Sequence, residues 1–332
     1  MRRRAYGRRT TGGRPGEAGR RPEYRPNPRR SPGMTSSEHS ERFGRIGLWN
    51  TALGSTDPSR RAEITQVAAE IEELGYGSLW VGGSPGLDQV EPLLAATSRI
   101  TVGTSILSIW QHEARDVAAG HAGLDAEHGG RFVLGLGVSH AEAVTDPRAK
   151  EELRRRPYSA MRSYLDALDA APRPVPASGR ALAALGPRML GLARERALGA
   201  LPYLVTEEHT ARARAALGPG ALLAPELKVV LETDLSRART VARAYLERYL
   251  RLANYRSSLL RLGFTEEDFA GGGSDRLLDA VYALGDTDAV RKRVEAFLAA
   301  GADHVALQVV TAETPQALPL AEWRALASAL PL

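Results

Sequence analysis

Residues 100–138, ITVGTSILSIWQHEARDVAAGHAGLDAEHGGRFVLGLGV, contain the pattern that decides the fold. Two apolar, β-branched runs, Ile100–Leu107 and Phe132–Val138, flank the helical pattern Glu113–Glu127. That helical pattern carries one apolar stripe, formed by Ala114, Val117, Ala118, His121 and Leu124. A strand, a helix and a second strand in this order predict two parallel strands joined by a right-handed crossover.

The same alternation extends over most of the chain. Apolar or β-branched runs occur at Arg45–Trp49, Ser78–Val81, Ile100–Leu107, Phe132–Val138, Ala181–Leu185, Ala200–Val205, Leu227–Leu231 and Val305–Val310. Helical patterns separate them, for example Ser59–Leu74 and Thr287–Ala300. Eight strand–helix units in roughly 290 residues match a (β/α)8 barrel. A doubly wound sheet is the alternative, but it usually opens with a glycine-rich phosphate turn, which Gly47–Asn50 is not.

The formal charge of +5 combines two parts of opposite sign. Residues 1–33 hold eleven Arg against Glu17 and Glu23, whereas the remaining 299 residues carry 33 basic and 37 acidic side chains. Residues 1–42 are rich in Arg, Pro and Gly without apolar periodicity, so we expect a disordered leader and one domain at 43–332. The leader either binds nucleic acid or an anionic surface, or it precedes a true start at Met34. The domain is acidic, so its charge does not favour nucleic acid as a partner.

The composition also excludes several kinds of site. The chain has no cysteine, which excludes disulfides, thiolate metal ligands and a cysteine nucleophile and fits a cytoplasmic protein. It has no run of about 18 apolar residues, so we expect no membrane-spanning helix. It has neither a His-Glu-x-x-His motif nor clustered carboxylates, so we expect no metal ion.

In a barrel of this kind, the residues that follow each strand converge at one end and form the active site. Here they are Asn50, Gly82–Ser84, Ser108–His112, Ser139-His140, Gly186–Arg188, Thr206–His209 and Glu232-Thr233. Few of them are acidic, and backbone groups with apolar walls suit a bound organic cofactor. Two long connections, Ser139–Gly179 and Ser236–Asp286, are expected to lie over this end and to determine the substrate.

Several residues of this region are candidates for contact with the cofactor or substrate. Gly103 would let a flat ring approach the third strand, and Gly135 and Gly137 would clear space on the fourth, although an ordinary barrel strand could also carry them. His140 is either a proton donor or acceptor in the mouth or a solvent-exposed loop residue. Gly186–Arg188 predicts a helix N-terminus that holds a phosphate, or a plain helix start with the same capping residues.

Five segments occur in the order typical of one enzyme family. They are Ala95–Thr104 (AATSRITVGT), Arg131–Gly137 (RFVLGLG), Tyr158–Leu168 (YSAMRSYLDAL), Leu185–Leu190 (LGPRML) and Gly301–Gln308 (GADHVALQ). With these segments the chain resembles the bacterial luciferase-like oxidoreductases. The resemblance is greatest to their actinobacterial branch of deazaflavin (coenzyme F420)-dependent oxidoreductases and covers about residues 43–330.

The resemblance implies a (β/α)8 TIM barrel of the luciferase-like type, with a flavin or deazaflavin over the carboxyl ends of the strands. In the family a bulge on the third strand, often with a non-proline cis peptide, supports the ring, and this position matches Ser105-Ile106. The phosphate-bearing tail would lie near Gly186–Arg188, and the family suggests a homodimer. The implied cofactor-binding residues are Asn50, Ser105, Ile106, Trp110, Gly137, Ser139, Gly186, Pro187 and Arg188.

The chain departs from the family at its acid–base residues. Several deazaflavin-dependent dehydrogenases carry an Asp-His pair after the second strand, where this chain has Val81–Pro85 (VGGSP), so their mechanism is not carried over. The family's frequent Glu after the fourth strand is matched by His140. His140 and His112 are therefore the remaining candidate catalytic residues, with Trp110 and Trp49 as walls.

We therefore predict an oxidoreductase that moves a hydride between coenzyme F420 and a small organic substrate. An FMN-dependent monooxygenase is the alternative within the same fold, because both cofactors present a tricyclic ring and a phosphate. The longer acidic tail of the deazaflavin favours a basic rim, for which Arg154–Arg156 are candidates. A barrel that binds a flavin or another ligand without catalysis is the second alternative, because the acid–base pair after the second strand is missing.

Overall fold

The computed structural model describes residues 35–140, 145–315 and 318–332. In these ranges eleven strands form one sheet, in which all paired strands are parallel. The strands are β1 (Ile46–Asn50), β2 (Ser78–Val81), β3 (Thr101–Thr104), β4 (Leu107–Ser108), β5 (Phe132–Gly137), β6 (Arg180–Leu182), β7 (Gly199–Ala200), β8 (Leu222–Leu223), β9 (Glu226–Leu231), β10 (Tyr282–Gly285) and β11 (Val305–Val309). Parallel neighbours need long crossover connections, and helices provide most of them here.

The sheet curls into a barrel because β8 and β9 together act as its seventh strand. On one side β8 pairs with β7, and the Ala224 N–H donates to Ala200 O at 3.0 Å. On the other side β9 pairs with β11, and Pro225 O accepts from the Ala306 N–H at 3.0 Å. β11 also pairs with β1. When β3 with β4 is counted as one strand position, β8 with β9 as another, and β10 is left out, eight strand positions form a closed ring. The predicted (β/α)8 architecture is therefore confirmed.

Thirteen α-helices accompany the strands in the described ranges. They are α1 (Ser36–Phe43), α2 (Arg61–Glu73), α3 (Leu87–Ala95), α4 (Ala114–Glu127), α5 (Pro147–Arg155), α6 (Pro157–Asp169), α7 (Pro187–Arg196), α8 (Glu207–Leu217), α9 (Leu235–Leu250), α10 (Ala253–Arg261), α11 (Asp275–Val281), α12 (Thr287–Ala299) and α13 (Leu320–Ala329). The predicted long connections contain α5 with α6, and α9 to α11. In the described part of the chain, none of these helices is both long and apolar enough to cross a membrane.

All eight predicted runs overlap a strand, but three details differ from the prediction. The third run is divided into β3 and β4 at Ser105-Ile106. The sixth run, Ala200–Val205, shares only Ala200 with a strand, because β7 covers Gly199–Ala200, Pro202 has no N–H to donate and Leu204 adopts a φ of 55°. The sequence does not predict β10, which pairs with the carboxyl half of β9.

The interior of the barrel is filled by large aromatic rings among small residues. Phe43, Trp80 and Trp49 belong to one buried cluster, and Ala181 and Ala306 on facing strands leave room for them. A larger apolar cluster lies between the outer face of the sheet and the helices, and a third one supports the connection that contains α9 to α11. The aromatic filling makes the barrel a packed core rather than a pore.

The amino end of the barrel is covered by α1, which corrects the expected boundary of the leader. We expect irregular chain up to residue 42, but residues 36–43 form a helix. Phe43 is fully buried, and its ring stacks on Trp80 with centroids 6.0 Å apart. The Ser36 hydroxyl donates to Asp303 Oδ1 at 2.6 Å. A two-turn segment with one buried aromatic shows too little periodicity to be recognised, and residues 1–34 of the expected leader lie outside the described residues.

Candidate active site

The carboxyl end of the barrel is built around the interruption of the third strand. Ser105 and Ile106, between β3 and β4, are joined by a non-proline cis peptide bond at the position that the family resemblance implies. The Ser105 N–H donates to Val81 O at 2.7 Å, and Ser105 O accepts from the Trp49 indole N–H at 3.0 Å. Groups from β1 and β2 therefore hold the bulge in place.

The glycines beside this bulge accommodate protein side chains. A Cβ at Gly103 would lie 2.5 Å from the Trp80 ring, so the flat ring next to this glycine is Trp80, which corrects the expectation of a cofactor there. A Cβ at Gly137 would lie 2.5 Å from Ile106 Cγ1, so Ile106 fills the space that Gly137 leaves. Gly137 is buried and Ile106 is partly exposed, so Ile106 rather than Gly137 borders the mouth.

The loops after the third and fourth strand positions are tied to their surroundings by hydrogen bonds. The Trp110 indole N–H donates to Val138 O at 2.8 Å. The Tyr164 hydroxyl, on α6, donates to the backbone oxygen of His112 at 3.0 Å. Ser139 adopts a φ of 55°, a left-handed turn immediately after the strand. Trp110 thus connects the two loops directly, while His112 is fixed through its backbone.

His140 lies at the mouth and is partly exposed. Its ring centroid is 5.3 Å from that of Tyr255 on α10. Tyr255 lies 5.9 Å from the Tyr203 ring, which in turn lies 5.3 Å from Trp49. A continuous set of ring contacts therefore runs from His140 to the side chain that holds the bulge. The same contacts place the α9–α11 connection over the mouth, as predicted.

Asn50 stabilises the turn after β1 rather than pointing an unused amide into the mouth. Its side chain is only 5% exposed. Its Oδ1 accepts from the Ala52 N–H at 2.6 Å, and its backbone oxygen accepts from the Gly82 N–H at 3.2 Å. Asn50 therefore fixes the backbone beside Trp49, and a contact with a cofactor remains a proposal.

The predicted helix start after the fifth strand position is present. α7 begins at Pro187, with Gly186 as the N-cap, and no side chain of the described residues caps it. A Cβ at Gly186 would meet no atom within 4 Å. The Arg188 guanidinium carbon lies 4.5 Å from the centroid of the Tyr158 ring. Uncapped amides, open space and a neighbouring cation fit the phosphate of a flavin or deazaflavin.

The sequence analysis misses a buried ion pair on the strand that closes the barrel. Lys228 Nζ lies 2.8 Å from Glu226 Oε2 and 3.0 Å from Oε1, and the two residues are 0% and 4% exposed. Nζ also lies 3.7 Å from the centroid of the Tyr203 ring. Burial lowers the pKa of Lys228 to about 8 and raises the pKa of Glu226, while the attraction between the two opposes both shifts.

Three tyrosines and a glutamine form a hydrogen-bonded ring next to this ion pair. The Tyr203 hydroxyl donates to Gln308 Oε1 at 2.8 Å and lies 2.8 Å from the Tyr249 hydroxyl. The Gln308 amide donates to the Tyr245 hydroxyl, which lies 3.3 Å from that of Tyr249. Burial raises the pKa of Tyr203 and Tyr249 well above the usual value, so these hydroxyls stay protonated.

The sequence contains a weak signal for this network. In Glu226–Leu231 (ELKVVL) the two charged residues are two positions apart, so they lie on one face of the strand. The predicted run begins at Leu227 and leaves Glu226 out. Tyr245 and Tyr249 are four positions apart and share a helix face. Neither pattern reveals that the strand face and the helix face meet in the folded chain.

The mouth thus combines aromatic walls, neutral hydroxyl groups, the partly exposed imidazoles of His112 and His140 and an open helix N-terminus. Among residues 35–140, 145–315 and 318–332, no group of three or more His, Cys, Asp or Glu side chains could hold a metal ion. Such an arrangement can hold a flat organic molecule by its faces and its phosphate and can move a proton at His140.

Several known proteins are similar to this chain. One curated relative, from Mycobacterium tuberculosis, carries the provisional name coenzyme F420-dependent oxidoreductase. It is 25% identical over an alignment that covers 80% of this chain and 93% of the relative. The coenzyme F420-dependent tetrahydromethanopterin reductase of Methanopyrus kandleri has a similar fold, with a TM-score of 0.65 and 16% identity over 86% of this chain and 97% of that one.

A second solved structure shares the fold but binds a different cofactor. It is the oxygenating component of 3,6-diketocamphane monooxygenase from Pseudomonas putida in complex with FMN. The TM-score is 0.59, with 15% identity over 85% of this chain and 95% of that one. The family model described as luciferase-like monooxygenase matches residues 42–304. The chain therefore belongs to the luciferase-like monooxygenase family of enzymes.

Proposed function

We propose that this protein is a deazaflavin (coenzyme F420)-dependent oxidoreductase that transfers a hydride between the cofactor and a small organic substrate. The observation that carries the proposal is the layout of the mouth, where the Ser105-Ile106 bulge, held by Trp49, shares one barrel end with the uncapped start of α7 at Gly186. The provisional name of the mycobacterial relative supports the deazaflavin branch.

Each part of the mouth has a role in this proposal. When bound, the deazaflavin supplies the hydride chemistry. Ser105, Ile106 and Trp110 would contact its ring, and Gly186, Pro187 and Arg188 would hold its phosphate. Asn50, Gly137 and Ser139 would shape the backbone around these contacts. The aromatic contacts from Tyr255 to Trp49 would keep water away from the reacting atoms.

His140 would hold or accept the proton that accompanies the hydride, and His112 is the second candidate. We expect His140→Ala to bind F420 as tightly as the wild type but to turn over about 100-fold more slowly or worse. His128→Gln, at the carboxyl end of α4, is the control and should leave turnover unchanged. If His140→Ala turned over at the wild-type rate while His112→Ala did not, the proton role would belong to His112.

A titration with each cofactor, followed by absorbance or fluorescence, tests the choice of cofactor. We expect selective binding of F420, and selective tight binding of FMN would instead make the protein a monooxygenase of the kind that the family description names. The predicted basic rim supports F420 only weakly, because Arg155 is paired with Glu151 at 2.5 Å and is 75% exposed. The side chain of Arg154 lies outside the described residues.

A further inference from the structure

A cavity of about 260 Å³ lies between α7, α8 and α10, and Leu185 and Pro187 at the start of α7 belong to its walls. Its walls are mostly apolar and include Leu190 on α7, Ala213 and Ala216 on α8 and Leu262 after α10. An apolar cavity of roughly 150 Å³ is large enough for benzene, so this one can hold a single-ring organic molecule with a substituent.

His209 in the cavity wall has an unused hydrogen-bond acceptor. Its side chain is 5% exposed, and its Nε2 lies 2.9 Å from Leu185 O. Because a carbonyl oxygen only accepts, Nε2 carries the proton and Nδ1 has the lone pair. Burial lowers the pKa of His209, which favours this neutral form. Nδ1 is buried without a hydrogen-bond partner among the described residues, which leaves one acceptor of this wall residue unsatisfied.

The rim of the same cavity is positively charged. Arg212 and Arg261 both line it and both are exposed. Arg212 donates to Arg261 O at 3.0 Å and also pairs with Glu208. Within the described residues no partner is present for the Arg261 guanidinium. Arg212, Arg261 and Glu208 together therefore leave one positive charge at the rim. An anionic group of a ligand would be favoured there.

We propose that this cavity is a binding site for a small aromatic hydroxy acid, with its hydroxyl on His209 Nδ1 and its carboxylate at Arg261 and Arg212. The apolar walls take the ring, the neutral imidazole takes the hydrogen-bond donor and the rim takes the charge. The cavity shares Pro187 with the proposed phosphate site, but His209, Arg212 and Arg261 are not among the proposed cofactor-binding residues. The titration that tests this site uses the protein without cofactor, so its failure would leave the proposed function standing.

Ligand-observed NMR titration of the full chain with 4-hydroxybenzoate tests this site. We expect saturable binding at one site. Benzoate lacks the hydroxyl donor and phenol lacks the carboxylate, so each should bind about 10-fold more weakly or worse. Absence of saturable binding of 4-hydroxybenzoate, or equal affinity for all three probes, would overturn the proposal.

Two variants locate the binding. Ala216→Phe fills the cavity and should abolish binding of 4-hydroxybenzoate, and Arg261→Gln should weaken it about 10-fold while leaving phenol binding unchanged. Arg251→Gln removes an exposed arginine that does not line this cavity and should change neither. Thermal unfolding checks that each variant is folded. Wild-type affinity in both Ala216→Phe and Arg261→Gln would show that the probe binds elsewhere.

Discussion

At the scale of single residues, Gly135 shows how the absence of a side chain permits the backbone arrangement at the mouth. A Cβ at this position would lie 1.9 Å from Thr104 O, a backbone atom that cannot rotate away. The Thr104 hydroxyl in turn donates to Gly135 O at 2.7 Å. Glycine is therefore required where the third strand position turns into the bulge.

We expect Gly135→Ala to lower the free energy of unfolding by about 3 kcal/mol or more, because the clash involves backbone rather than a flexible side chain. Urea unfolding of the purified protein measures this. Gly123→Ala is the control, since its Cβ in α4 would meet no atom within 4 Å. Gly123→Ala should raise the free energy of unfolding by up to about 1 kcal/mol, because alanine favours the helix more than glycine does. A Gly135→Ala protein with the wild-type urea midpoint would contradict the packing argument.

The effects of substituting Lys228 and Glu226 on the free energy of unfolding should be strongly coupled, because the two side chains form a buried ion pair. Lys228→Met leaves a buried carboxylate and Glu226→Gln leaves a buried ammonium, so each single change should cost about 3–5 kcal/mol. The double variant leaves neither charge and should cost clearly less than the sum. A double-mutant cycle by urea unfolding measures the difference.

The exposed pair of Arg251 and Glu247 provides the comparison for this cycle, with 75% and 57% of the side chains exposed. Its coupling energy should be about 0.3–0.5 kcal/mol. If the buried pair coupled no more strongly than this exposed pair, Lys228 would not be held by Glu226 in solution.

At the scale of elements, the long amphipathic helices were predicted more precisely than the shortest strands. α2, α4 and α12 lie within two residues of their predicted bounds, because an amphipathic stripe repeats over three or more turns. β7 has only two residues, too few for a repeat to be visible, and β10 follows α11 directly, without an intervening turn to mark its start. The bounds of β7 depend on Pro202 and on the pairing with β8, which is a tertiary contact.

The candidate site was predictable only where a local pattern determines it. The start of α7 follows from Gly186-Pro187, and the bulge at Ser105-Ile106 follows from the family resemblance. The contact of Ile106 with Gly137 and the burial of Lys228 depend on which strands become neighbours. Residue spacing contains no information on such contacts between distant segments.

The start of α7 yields a prediction in which stability and affinity change in opposite directions. Gly186 has extended backbone angles that Asp can adopt, and Asp is a better N-cap. Gly186→Asp should therefore stabilise the fold by about 0.3 kcal/mol. Its carboxylate would repel the cofactor phosphate, so the affinity for F420 should fall about 10-fold or more. Thermal unfolding and a fluorescence titration measure the two effects.

Gly186→Ser separates the charge from the bulk of the new side chain. Serine caps the helix without a charge, so it should stabilise the fold similarly but reduce the F420 affinity less than aspartate does. Equal affinity in wild type, Gly186→Ser and Gly186→Asp would mean that this helix start does not hold the phosphate.

At the scale of the whole molecule, His304 joins α1 to the barrel. It is fully buried at the amino end of the barrel, 6.4 Å from the Phe43 ring. Its Nδ1 lies 2.8 Å from Gly44 O, so Nδ1 carries the proton. Nε2 then accepts from the Trp80 indole N–H at 3.0 Å and lies 3.1 Å from the Ser78 hydroxyl. A second proton on the imidazole would break these contacts.

The stability of the molecule should therefore depend on pH in a defined window. Burial lowers the pKa of His304 from 6.5 to about 4 in the folded protein. Between these values the unfolded chain binds more protons, so stability is fully present above pH 6.5 and is lost as the pH falls toward 4. The linked free energy is about 3 kcal/mol. Burial also lowers the pKa of His39, His121 and His209, which adds to the loss in the same direction.

Urea unfolding at a series of pH values between 7.5 and 4.5 measures this dependence. Carboxylates with lowered pKa values contribute mainly below pH 4.5, whereas Glu226, whose pKa burial raises, contributes with the opposite sign within the window. The difference between the wild-type and His304→Gln curves therefore gives the contribution of His304. His304→Gln should be less stable than the wild type at pH 7.5, because Trp80 and Ser78 lose their acceptor, but it should lose less stability on acidification. His112→Gln, which replaces a partly exposed histidine after the third strand position, is the matched control for the substitution by glutamine. If both variants followed the wild-type curve, the proton would not be excluded from His304, and α1 would not close the barrel as tightly as its contacts indicate.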